Sequence, residues 1–172
     1  IIKNASQSGE PGLLNLGYAR ELSNSWYIAD LETSNPCILP TTIFLIKDGL
    51  DNFKYVEFSK LKIGDVVWSG KSWTRLLNMW STGTKQVFRY VTETGTFIEC
   101  TENHRVVQNG FKLEVKDALS IDLAACPYIT KIKKQSDLII SKEYIGEHEV
   151  FDFTVEADEH TVWANGLLIS NC

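Results

Sequence analysis

From Thr42 to Ala164 the chain is a succession of short apolar and β-branched runs, each closed by turn residues. Thr42-Ile43-Phe44-Leu45-Ile46 stops at Lys47-Asp48-Gly49, and Tyr55-Val56-Glu57-Phe58 follows. Leu61–Trp68 carries a Gly64-Asp65 turn before its apolar end, and Ser69-Gly70-Lys71 turns again. Trp73–Trp80 and Gln86–Thr92 read as two strands, and Glu93-Thr94-Gly95 turns tightly into the alternating run Thr96–Cys100. Arg105–Val107, Gly110–Leu113, Tyr128–Ile132, Leu138–Ile140, Gly146–Val155 and His160–Ala164 continue the pattern. Asn165-Gly166 is a strong two-residue hairpin signal. Short strands at regular spacing, with few helical windows, specify an all-β domain. Residues 115–121 leave room for a single helical turn.

Residues 1–36 have a different character. Gly9-Glu10-Pro11-Gly12 is a turn, Leu13, Leu14, Leu16 and Tyr18 lead into Ala19-Arg20-Glu21-Leu22, which suits a short helix, and Ser23-Asn24-Ser25 breaks it. Trp26–Ala29 is apolar again and Thr33-Ser34-Asn35-Pro36 ends the segment. Such a length cannot bury its own apolar residues, so the segment reads as part of a larger protein.

Composition narrows the function. The 172 residues are 44% hydrophobic, enough for one sizeable core. A net charge of −5 without a basic patch argues against nucleic acid as a partner. No apolar run is long enough to span a bilayer, and Ile1-Ile2-Lys3-Asn4 does not open a signal peptide. The cysteines, Cys37, Cys100, Cys126 and Cys172, form no C-x-x-C pair, which disfavours a zinc ribbon. They read as thiols of a reducing, cytoplasmic compartment, two reactive and two small core residues. No cofactor and no metal is expected.

Three residues carry suggestive chemistry. The Asn171 side chain can attack its own backbone carbonyl and cut the chain after itself. Cys172 can accept an acyl group on sulfur, and Cys37 can move the acyl group on its nitrogen onto its sulfur.

Four separated stretches resemble the inteins. Cys37 follows the leader and precedes a strand. Gly95-Thr96-Phe97-Ile98-Glu99-Cys100-Thr101-Glu102-Asn103-His104 resembles their T-x-x-H block. Val150–Val155 with His160–Gly166 resembles their penultimate block, and Leu168-Ile169-Ser170-Asn171-Cys172 their splice junction. The resemblance covers residues 37–172 and implies the Hint fold, a flattened β horseshoe with pseudo-two-fold symmetry. Its size is that of a mini-intein without a homing endonuclease. The resemblance divides the chain into an N-extein segment (1–36), a mini-intein (37–171) and a first C-extein residue (172).

The leader resembles the large, catalytic subunit of ribonucleotide reductase through GEPGLLN and Ser34-Asn35-Pro36. An N-x-C-x-E signature carries the active-site cysteine of that family. Removing residues 37–171 would join Asn35-Pro36 to Cys172 and rebuild N-P-C. The host implied is a ribonucleoside-diphosphate or triphosphate reductase, inactive until the insert leaves.

The resemblance implies a single-turnover, self-splicing reaction. Cys37 attacks the Pro36 carbonyl and forms a thioester, Cys172 takes over the acyl group, and Asn171 cyclises to a succinimide. Thr101 and His104 would hold the Pro36–Cys37 peptide, His104 protonating the leaving nitrogen. Asp152 would manage protons between the two cysteines, and His160 would assist Asn171. Ser170 departs from the family, which usually has histidine there, and Pro36 restricts the backbone at the first scissile bond. The only partners implied are the chain's own flanks, with no membrane or nucleic acid, and the domain acts as a monomer.

Blander readings accompany each residue. Cys37 suits a buried cysteine starting a strand, and Thr101 with His104 a hydrogen-bonded turn. Asp152 suits a surface residue of an edge strand, and His160 a structural histidine near a hairpin. For the whole domain the alternatives are a hedgehog-like autoprocessing domain, a metal module using Cys100, His104, His148 and His160, and a plain β interaction domain.

Overall fold

The computed structural model describes residues 37–49, 52–124, 126–127 and 135–170. The strand expected at 128–132, the leader, and Asn35, Pro36, Asn171 and Cys172 lie outside them. The described residues form eleven strands. They are β1 (Ile43–Asp48), β2 (Asn52–Glu57), β3 (Val66–Trp68), β4 (Trp73–Thr92), β5 (Phe97–Cys100) and β6 (Arg105–Gln108). Then come β7 (Phe111–Glu114), β8 (Ser120–Asp122), β9 (Ser136–Val155), β10 (Thr161–Ala164) and β11 (Leu167–Ser170). Single 3-10 turns occupy Phe58–Lys60 and Val115–Asp117, and there is no α-helix among the described residues. The helical turn expected within 115–121 is thus half its allotted length, because Ser120 already enters β8.

All pairings are antiparallel, in the order β7-β6-β11-β10-β1-β3-β4-β9-β8, with β2 on β1 and β5 on β4. The two strands expected on either side of Ser81–Lys85 are one 20-residue strand, β4. The two expected around Ser141–Ile145 are likewise one, β9, paired with β4 from Leu76↔Val155 to Thr92↔Ile139. Bulges, not breaks, interrupt the pairing. Register slips at Leu77 and Thr82 on β4, and at Ile145 and Ile140 on β9, each insert one residue. Gly83 (φ 89°) and Gly146 (φ 111°) take up the left-handed backbone beside two of them, where a side chain would be strained.

Asn165-Gly166 makes the expected hairpin, with Ala164 opposite Leu167 and both turn residues at positive φ. Asn165 also ties this hairpin to the first strand. Its side-chain oxygen accepts the Ile43 amide at 2.9 Å, and its amide nitrogen donates to the Phe97 carbonyl at 3.0 Å. The last hairpin therefore lies beside β1, as the register Phe44↔Ala164 requires. Beneath them Phe44, Phe58 and Phe153 are fully enclosed, with Phe153 edge-on to Phe44 at 5.3 Å. Enclosing each such ring contributes roughly 1.5–3 kcal/mol. A flattened β horseshoe describes the result, and no helix of the described residues is long and apolar enough to cross a membrane.

Candidate functional site at the Cys37 thiol

Ile38 fixes the approach to β1. It exchanges both backbone hydrogen bonds with Phe151 of β9 at 2.9 Å, and Leu39 donates to the Glu99 carbonyl of β5 at 3.3 Å. Cys37 is thereby held between the two strands with no exposed surface. Thr101, the first residue after β5, grips it from both sides. The Thr101 amide donates to the Cys37 carbonyl at 3.1 Å, and the Cys37 amide donates to Thr101 Oγ1 at 3.3 Å.

The turn that Thr101 opens also carries His104, whose amide donates to the Thr101 carbonyl at 2.9 Å. Its ring is buried, and neither ring nitrogen has a hydrogen-bond partner among the described residues. Burial lowers its pKa from 6.5 to about 3, so at neutral pH it is an uncharged imidazole with one N–H donor. An unsatisfied buried polar group costs about 1–3 kcal/mol. The fold carries that cost beside the first residue of the domain.

The thiol points away from Thr101 toward β4. Cys37 Sγ lies 2.9 Å from Thr82 Oγ1 and 3.4 Å from Lys85 Nζ. Thr82 Oγ1 is also 3.2 Å from the Val150 carbonyl, to which it donates. Around the sulfur pack Leu39, Val87 and Val150. Burial pushes the thiol above its ordinary 9.0, the Thr82 hydroxyl and the Lys85 ammonium pull it back, and the Asp152 carboxylate pushes it up.

Asp152 is not the surface residue that the blander reading allowed. It is 1% exposed on β9 opposite Trp80, and its Oδ1 accepts the Phe153 amide at 2.8 Å. The structure thus gathers Cys37, Thr101, His104 and Asp152 in one place. The turn reading of Thr101 and His104 is true of their backbone and leaves the buried ring unexplained.

His160 and Ser170 form a second place, at the open end of the last hairpin. His160 precedes β10, is exposed, and has a φ of 46°. Its carbonyl accepts the Ser170 hydroxyl at 3.0 Å and the Lys112 ammonium at 3.4 Å. Ser170 is buried, and Asn171 follows it beyond the described residues.

Sequence reasoning missed Thr82, Lys85 and Lys112. Thr82 sat in a stretch that reads as a turn, and a lysine in a polar strand carries no local signal. Cys37 and Cys100 are buried and Cys126 is half-buried, so Cys126 is not the core residue expected. The metal reading loses its ligand set. Cys100 and His104 are enclosed, His148 and His160 are exposed, and no metal-holding group of three exists among the described residues.

Solved structures similar to this chain include several inteins. The gp41-1 intein is 20% identical, with 79% of this chain and 98% of that one covered at a TM-score of 0.63. A DnaB intein from Synechocystis sp. PCC 6803 is 21% identical, covering 80% and 99% at 0.66. The VidaL intein is 16% identical, covering 80% and 94% at 0.61. No protein-family model matches the chain, and no curated protein does. The likeness establishes the architecture: this chain has the Hint fold of the inteins.

Proposed function

We propose that residues 37–171 excise themselves and join their flanks. The observation that carries this is the double grip of Thr101 on Cys37, with a buried imidazole in the same turn. The Cys37 nitrogen is the leaving group of the Pro36–Cys37 amide, and Thr101 Oγ1 already holds its N–H. His104, neutral at physiological pH, contributes a hydrogen-bond donor rather than a standing positive charge. The Cys37 thiol attacks the Pro36 carbonyl, Cys172 accepts the acyl group, and Asn171 cyclises to release it. Asp152, whose carboxylate is felt at the Cys37 sulfur, takes and returns the thiol proton. His160 and Ser170 support the Asn171 step.

The leader, 1–36, is on this reading the N-extein, and Cys172 begins the C-extein. Asn35-Pro36 followed by Cys172 supports a ribonucleotide reductase large subunit as host, with splicing restoring its N-P-C motif. Free thiol chemistry at Cys37 and Cys172 requires a reducing, intracellular setting.

Intact mass of the full chain, with and without dithiothreitol at neutral pH, tests the proposal. The expected products are residues 1–36 released by thiol and a dehydrated Asn171 end lacking Cys172. A chain extended by host sequence after Cys172 that stays at full mass under both conditions would overturn it.

A further inference from the structure

We propose that Lys85, with Thr82, is a catalytic group of the first acyl transfer, stabilising the negative sulfur of Cys37. The proposal rests on the splicing reading above and adds what activates its nucleophile. Both side chains come from one strand. Thr82 is the extra residue of a bulge, between Ser81↔Phe151 and Gly83↔Val150, and Lys85 follows three positions later. The bulge re-aims Thr82 at the sulfur, which an unbroken β4 would not do. The two then close on Sγ, at 2.9 and 3.4 Å.

The hydroxyl suits both states of the sulfur. While Thr82 donates to the Val150 carbonyl, its lone pair accepts the S–H proton. Rotation of the same O–H turns it toward a thiolate. Lys85 is cationic and donates only, so it favours the thiolate alone. Asp152 on β9 resists a negative charge at this sulfur, and among the described residues Lys85 is a cation that opposes it.

The step balances without any further reagent. The S–C bond to Pro36 forms and the C–N bond of Pro36–Cys37 breaks. The thiol proton ends on the freed Cys37 nitrogen, by way of Asp152, and Lys85 keeps its three protons throughout.

The test is thiolate ultraviolet absorbance against pH in the full chain carrying Cys126→Ser and Cys172→Ser. Buried Cys100 has its thiol pKa pushed far up and stays protonated. Lys85→Met is expected to raise the Cys37 midpoint by about one pH unit, and Thr82→Val by a similar amount. Lys85→Arg, which keeps a cation, is expected to restore most of the shift. One unit means about tenfold less thiolate at neutral pH, offset in part by the higher nucleophilicity of a more basic sulfur. Thiol-driven release of residues 1–36 should therefore slow about threefold in Lys85→Met. Should Lys85→Met not fold, Lys85→Gln gives the same readout with the polar end kept.

An unchanged midpoint in a folded Lys85→Met or Lys85→Gln chain would overturn the role of Lys85. A shifted midpoint in a parent chain that never releases its leader would instead sink the splicing reading. The titration needs no cleavage, so the two failures are separable.

Discussion

The two ends of the domain are built differently. Around Cys37 every described contact is internal: two strands clamp Ile38, Thr101 holds the peptide, and the thiol, His104 and Asp152 are all enclosed. At the second place His160 faces solvent, and a single carbonyl joins it to Ser170 and Lys112. Low-dielectric enclosure makes each dipole and charge at the first place count for more, and makes each unsatisfied group costly. The exposed place gains little from electrostatics and loses little when altered. On the splicing reading, acyl transfer at Cys37 is thus the preorganised step, and Asn171 release depends on ordinary solvated groups.

The largest effect expected is at the nucleophile. Cys37→Ala removes the sulfur that, on the splicing reading, attacks the Pro36 carbonyl, so thiol-driven release of residues 1–36 should vanish, as read by intact mass. Loss of Cys172 through Asn171 cyclisation should persist, because that step uses the Asn171 side-chain amide and its own carbonyl and needs no sulfur at Cys37. Continued leader release in Cys37→Ala would break the comparison outright.

His104→Ala comes next. A preorganised hydrogen-bond donor is worth about 10²–10³ in rate, so leader release should slow by about that factor while Asn171 cyclisation changes only a few-fold. Equal slowing of both steps would mean that the two places act as one. Separate quantification of the two products decides it.

The same histidine governs a third prediction. Its folded pKa is lowered from 6.5 to about 3, so below pH 6.5 the unfolded chain binds a proton that the folded chain refuses. Its contribution to stability is therefore complete above pH 6.5 and is lost as pH falls toward 3. The slope should reach about 1.4 kcal/mol per pH unit, measurable by urea unfolding across that range. His104→Gln should flatten the curve by that amount.

Much of this architecture is legible in the residues, and its exceptions have physical causes. Turn chemistry is local, so Asn165-Gly166 announced its own hairpin, and period-2 patterning announced β5. Continuity of β4 and β9 is not local. Ser81-Thr82-Gly83-Thr84 has the composition of a turn, and only pairing to a partner strand keeps it extended through a bulge. The same ignorance hid Thr82 and Lys85, because a bulge decides where their side chains reach. Thr101 and His104 could be named from the T-x-x-H spacing, yet nothing in that spacing shows that the His104 ring nitrogens lack a partner among the described residues. Asp152 was ambiguous for a related reason: burial of an aspartate is a property of the strands above it.

The smallest effect expected lies at the exposed end. Ser170→Ala removes the hydroxyl that donates to the His160 carbonyl at 3.0 Å. One such bond contributes about 0.5–1.5 kcal/mol, so the urea midpoint should drop modestly. His160 holds a left-handed backbone, φ 46°, which a side-chain-bearing residue adopts at a cost, and Ser170 helps keep it there. Lys112 reaches the same carbonyl at 3.4 Å and remains after the substitution. Asn171 cyclisation should therefore slow only two- to threefold, about 0.4–0.7 kcal/mol, with leader release untouched. Ser170→Ala combined with Lys112→Met removes both donors and should slow cyclisation further than the two single changes add up to. Strict additivity would mean that neither donor positions His160, and that the solvated end works through Asn171 and water alone.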